Sequence, residues 1–148
     1  MTRHELTIKI QELKRASGLS WKAIAESIGP GSPVLYTAAL LGQMTLTRPE
    51  AERAASILGF SAEDATLLTE PPYRGSLATL PPTDPLIYRF YELLQNYGTT
   101  WKALIEEEFG DGIMSAIDFQ MEIHREPHAG GDRVQLTLSG KFLPYRRY

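Results

Sequence analysis

The sequence contains no cysteine, which removes disulfides, thiolate metal sites and a cysteine nucleophile together. It also lacks a basic surplus, with a net charge of −3. Residues 1–75 balance eight basic against eight acidic side chains, whereas residues 76–148 carry seven against ten. Neither half offers the clustered positive charge that holds nucleic acid, so no nucleic-acid partner is expected. Charges interrupt every long apolar run, and residues 1–6 lack the apolar core of a signal peptide. A soluble, cytoplasmic protein with no membrane partner is the expectation. His4, His124 and His128 do not have metal-ligand spacing, so no metal is expected. Ser115 lies between Met114 and Ala116, outside any Gly-x-Ser-x-Gly elbow, and Gly29-Pro30-Gly31 leads to Ser32-Pro33 rather than to a phosphate-binding lysine. Activated-serine hydrolysis and nucleotide chemistry are therefore poorly supported.

What is present is an ordinary globular composition, 43% hydrophobic over 148 residues, enough for one domain or two small ones with a real core. The spacing predicts a helix over 3–16, closed by Gly18, and a second over 21–28 capped by Ser20. A third starts at Pro33 behind Ser32, a fourth follows Thr47 and ends before Gly59, and a short fifth runs from Ser61 to about Leu68. The second and third form a helix–turn–helix-like pair. A DNA regulator would read bases with the third helix, yet Val34-Leu35-Tyr36-Thr37-Ala38-Ala39-Leu40-Leu41 has no Arg, Lys, Asn or Gln. No Lys or Arg lies between Lys22 and Arg48 to hold phosphate. The bundle, residues 1–75, reads as a scaffold or oligomerisation surface. Pro71-Pro72 and Pro81-Pro82 bracket a connector, and residues 76–148 make the second part.

There Asp84 caps a helix with Pro85 at its first position, and Leu86, Ile87, Phe90, Leu93, Leu94 and Tyr97 mark an apolar face. Gly98 is expected to end it, with another helix over 100–109. Gly110-Asp111-Gly112 then breaks the chain before Ile113-Met114-Ser115-Ala116-Ile117. Phe119, Met121 and Ile123 alternate with polar residues, as do Val134, Leu136 and Leu138, which predicts two strands around a turn at 127–132. The fold class is α+β: a five-helix bundle, then helices and a two-stranded antiparallel ribbon. Such a ribbon is marginal alone and should interlock with another subunit. The aromatic tail, residues 141–148, should be more than a floating end.

Arg89 and Glu92 share a helix stripe. They read either as a surface ion pair or as a site, with arginine offering a permanent charge and a fork for a planar oxyanion. Ser115 reads as a capping or small packing residue, or as a hydroxyl beside backbone N–H groups. Together they allow a small-anion site of undetermined substrate.

The runs Asp84-Pro85-Leu86-Ile87-Tyr88-Arg89-Phe90-Tyr91-Glu92, Tyr97-Gly98-Thr99-Thr100, Phe109-Gly110-Asp111-Gly112-Ile113-Met114-Ser115-Ala116-Ile117 and Gly140-Lys141-Phe142-Leu143-Pro144 resemble cyanase (cyanate hydratase, cyanate lyase). Leu40-Leu41-Gly42-Gln43 and Pro72-Tyr73-Arg74-Gly75-Ser76 carry the likeness into the first half. The resemblance implies a bicarbonate-dependent breakdown of cyanate to ammonia and carbon dioxide through carbamate. No cofactor is implied, because bicarbonate is a co-substrate. It places the family's catalytic residues on Arg89, Glu92 and Ser115 and makes residues 76–148 the catalytic and dimerisation part. It also implies a homodecamer of five dimers with sites at subunit interfaces. A helix–turn–helix regulator and a non-catalytic scaffold are the rival classes.

Overall fold

The computed structural model describes residues 1–148 as six helices, a 3-10 turn and two strands. In order they are α1 (Arg3–Ser17), α2 (Trp21–Ile28), α3 (Pro33–Leu40), α4 (Arg48–Leu58), α5 (Ala62–Thr66), the 3-10 turn (Leu67–Thr69), α6 (Pro85–Phe109), β1 (Gly112–Glu126) and β2 (Arg133–Pro144). The chain divides into two compact units. The first contains Met1–Gly75 with Met121–Thr137, and the second Ser76–Gln120 with Leu138–Tyr148.

In the first unit the expected caps are in place. The hydroxyls of Thr2, Ser20 and Ser61 accept from the third residue of their helices, and Ser32 accepts from Val34. Gly18 and Gly59 close α1 and α4 in the left-handed conformation, at φ 70° and 78°. The buried core is drawn from every helix: Leu6 and Ile10, Ile24 and Ile28, Tyr36 and Leu40, Ala51, Ala54 and Leu58, then Ala65. Arg3 ties α1 to its neighbours by donating to the carbonyls of Leu67, Ala39 and Met44. Burial lowers its pKa, opposed by the negative charge of Glu70. Helix α3, which a DNA regulator would use to read bases, buries Tyr36, Ala39 and Leu40.

The turn between α2 and α3 is pinned by side chains. The Tyr36 hydroxyl donates to Glu50 Oε1 at 3.1 Å and accepts from Gly31 N at 3.1 Å. A Cβ on Gly29 or Gly31 would sit 2.7 Å from that hydroxyl, so the phenol fills the space that both glycines leave. Ser32 Oγ donates to the Met121 carbonyl at 2.9 Å, fastening β1 within this unit. Desolvation alone would raise the Glu50 pKa. Hydrogen bonds from Thr47 and Tyr36, with the charge of Arg53, outweigh it and hold Glu50 below 4.5. A depressed carboxylate stabilises the fold above its ordinary pKa, and that stability is lost as pH falls through the folded value. Glu5, bonded to Thr2, and Asp64, bonded to Lys9, are lowered as well. The thermal midpoint should therefore fall as pH drops below about 4.5. Glu50→Gln should make that fall shallower without removing it, as followed by circular dichroism across a pH series. An unchanged slope would show that the Glu50 bonds contribute nothing.

The second unit departs from expectation at Gly98. One helix of 25 residues runs through it, where two were expected. Glycine in a helix interior costs about 1 kcal/mol, which continuous hydrogen bonding on both sides offsets. Gly98 keeps negative φ, and the stop comes at Gly110, with φ 92°. Asp84 Oδ1 caps the other end by accepting from Leu86 N and Ile87 N at 2.9 and 3.0 Å. The apolar face foreseen for this helix exists, but no residue of α6 is buried. Leu86 is 70% exposed and Leu104 59%.

The two strands form the only sheet and are longer than their alternating middles. β1 takes in the Ile113–Ile117 stretch, and β2 continues through Phe142. Two glycines allow this. A Cβ on Gly140 would lie 2.5 Å from the Ser115 carbonyl, and one on Gly112 would strike the Leu143 carbonyl and the Phe142 ring. The strands thus approach closely where Ser115 sits. No helix is long and apolar enough to cross a membrane.

Candidate active site

Arg89 and Glu92 lie one turn apart in the first half of α6, behind the Asp84 cap and Pro85 that fix the start of the helix. Their side chains meet with Arg89 Nη1 3.6 Å from Glu92 Oε2. That distance is an ion contact, too long for a hydrogen bond, and it leaves the guanidinium donors unspent. The side chains are 64% and 46% exposed, so as an isolated surface pair the contact would be worth at most a few tenths of a kcal/mol, roughly 0.2–0.5. Tyr88 stands beside the pair, with its ring centroid 5.9 Å from Arg89 Cζ, and Tyr91 lies 5.9 Å from Tyr88 ring to ring. Spacing alone did not single out Tyr88. Its signal was an aromatic residue adjoining a cation, which stacks favourably on it.

Ser115 lies in β1 and is 5% exposed, the one buried polar residue among the buried side chains. It caps no helix, as one reading allowed, but it does a cap's work inside the strand. Its Oγ accepts from Ile117 N and Asp118 N, both at 3.0 Å. These two bonds occupy the oxygen's lone pairs and leave the hydroxyl proton to be given elsewhere. The two N–H donors belong to the backbone, so no side-chain pattern could have announced them.

The structure therefore brings Arg89 and Glu92 together. Within one chain it places no hydrogen bond or ion pair between Ser115 and either of them. What the three offer is a fixed cation with a fork, a carboxylate to orient it, and a buried hydroxyl with a free proton. That set suits binding and polarising small planar anions. No group of three His, Asp or Glu side chains is placed to hold a metal ion.

Comparison with known proteins covers the whole chain. Residues 79–147 match a family profile described as the cyanate lyase C-terminal domain, and residues 3–72 match one for the N-terminal part of cyanate hydratase. Cyanate hydratase of Ralstonia pickettii (strain 12J) is 59% identical over 148 residues, all of both chains. Cyanate hydratase of Methylibium petroleiphilum is 57% identical over the same full span. A crystal structure of cyanase from T. urticae superposes with a TM-score of 0.82 at 39% identity, covering 94% of this chain and 96% of that one.

Proposed function

The chain belongs to the cyanate hydratase family of carbon–nitrogen lyases, and from that membership we propose a bicarbonate-dependent decomposition of cyanate carried by Arg89, Glu92 and Ser115. The observation that supports these residues best is the unspent guanidinium of Arg89, held 3.6 Å from Glu92.

Cyanate and bicarbonate are both anions, and their repulsion grows as water is excluded. Arginine charge offsets it, and bidentate bonds fix the orientation of a planar oxyanion. Bicarbonate oxygen forms a bond to the cyanate carbon, and that oxygen's bond to the bicarbonate carbon breaks to release carbon dioxide. With one proton taken up, the other product is carbamate. A second proton and cleavage of its C–N bond give ammonia and another carbon dioxide. Holding two small reactants in register supplies much of the rate, through effective molarity. The Ser115 hydroxyl donates to substrate oxygen as charge moves onto it. Glu92 positions Arg89. Bicarbonate is the nucleophile, so the chemistry draws on no cofactor.

The working form is a homodecamer of five dimers, with sites completed between subunits and the ribbons interlocked within each dimer. Two features support this. The apolar residues of α6 lie uncovered in the single chain, with Ile117 97% exposed on β1. A two-stranded ribbon alone would also be marginal. Ammonia release should be measured with cyanate, with and without added bicarbonate, in buffer depleted of carbon dioxide. Turnover should require bicarbonate. Ammonia released equally without it, or no ammonia under either condition from a folded oligomer, would overturn the proposal.

A further inference from the structure

The aromatic C-terminal tail also carries Lys141, Arg146 and Arg147, and the reaction described above does not use it. Its placement gives it a task. The Tyr145 N–H donates to the Asp111 carbonyl at 3.1 Å, and Phe142 stacks on Phe109 with ring centroids 5.1 Å apart. The tail is thereby anchored to the turn that joins α6 to β1, four residues before Ser115. At about 3.3 Å per strand residue, that is roughly 13 Å along β1. Arg146 and Arg147 follow the anchor directly, both exposed. Neither takes part in an ion pair, nor does Lys141.

The surroundings of that turn are acidic. Glu107, Glu108, Asp111 and Asp118 all lie at the end of α6, in the turn or just beyond Ser115, and none of them is ion-paired. Only Glu106 is, with Lys102. These carboxylates repel two anionic reactants near Ser115, on a chain whose net charge is already −3. Unpaired arginines on a tail fixed to the same turn offset two of those four charges. Resting on the cyanate-and-bicarbonate reading, we propose that Arg146 and Arg147 form an anion-gathering element that raises the local concentration of both reactants without touching them. They act through their field, which reaches about 30 Å at 0.01 M salt and about 8 Å at 0.15 M.

The test is the double variant R146Q/R147Q, compared with R146K/R147K and with the unaltered protein, by steady-state ammonia release at low and high ionic strength. At about 0.01 M salt the glutamine variant should show a KM roughly threefold higher for cyanate and for bicarbonate, with kcat unchanged. The lysine variant should retain the KM of the unaltered protein, because charge rather than fork geometry is required. The difference should vanish near 0.5 M salt. Equal KM values in all three proteins would overturn the inference. So would a rise shared by the lysine variant and indifferent to salt, which would point to direct contact or to tail packing. If the unaltered protein released no ammonia, the site reading would fall first and the gathering role with it.

Discussion

Arg89→Lys should lower kcat/KM for cyanate by about 100-fold, close to 3 kcal/mol of transition-state stabilisation. Lysine keeps the charge, so a role in simple neutralisation would leave most of the activity. It cannot present two parallel N–H donors to one planar anion, and a point charge on a flexible stem does not fix the angle between two reactants. The loss should fall on kcat as well as KM, since orientation matters most where the carbon–oxygen bond forms. Arg89→Ala should be worse, leaving two anions with nothing between them. The substitution is safe for the fold, because the side chain is 64% exposed and its contact with Glu92 contributes little. Circular dichroism and gel filtration would confirm that, and steady-state ammonia release gives the kinetic readout. Near-normal activity in Arg89→Lys would remove bidentate binding from the mechanism.

The first half was legible because each helix carries its own punctuation. Ser20, Ser32, Thr47 and Ser61 open helices, Pro33 and Pro49 lie in first turns, and Gly18 and Gly59 close helices. Such signals are local, and the core built from Leu6, Ile24, Tyr36 and Leu58 follows the same periodicity. Gly98 misled for the same reason. A glycine reads as a stop, but whether a helix stops depends on what the chain gains by continuing, and α6 gains a further turn on either side. The strands were longer than their alternation because Ile113-Met114-Ser115-Ala116-Ile117 does not alternate. Gly112 and Gly140, which look like breaks, are what let the strands come close.

The site was legible in part. Arg89 and Glu92 fall on one stripe by helix geometry, and the structure joins them. Ser115 is 26 residues from Arg89 in sequence and its side chain bonds only to its own strand's backbone, so no local pattern links it to the pair. Its proposed role rests on resemblance, and its geometry on two backbone N–H groups. The apolar stripe of α6 shows the limit from the other side. Periodicity says which residues seek cover but not whether one chain supplies it, and here Leu86, Phe90, Leu94 and Tyr97 remain open.

Ser115→Ala should reduce kcat by about 100-fold with a smaller change in KM, because the hydroxyl proton is worth most as charge moves onto substrate oxygen. Alanine alone is ambiguous, since it also strips Ile117 N and Asp118 N of their acceptor and could loosen β1. Ser115→Cys separates the two effects. Sulfur is a weak acceptor that still faces those N–H groups but a poor donor to an oxyanion. If donation is the role, both variants should lose activity to a similar degree, while the cysteine variant keeps its oligomeric state and more of its thermal stability than alanine does. If holding the strand is the role, activity should follow stability, and cysteine should recover much of what alanine loses. An active Ser115→Cys protein would then make Ser115 a structural residue, leaving Arg89 with Glu92 to orient the two anions.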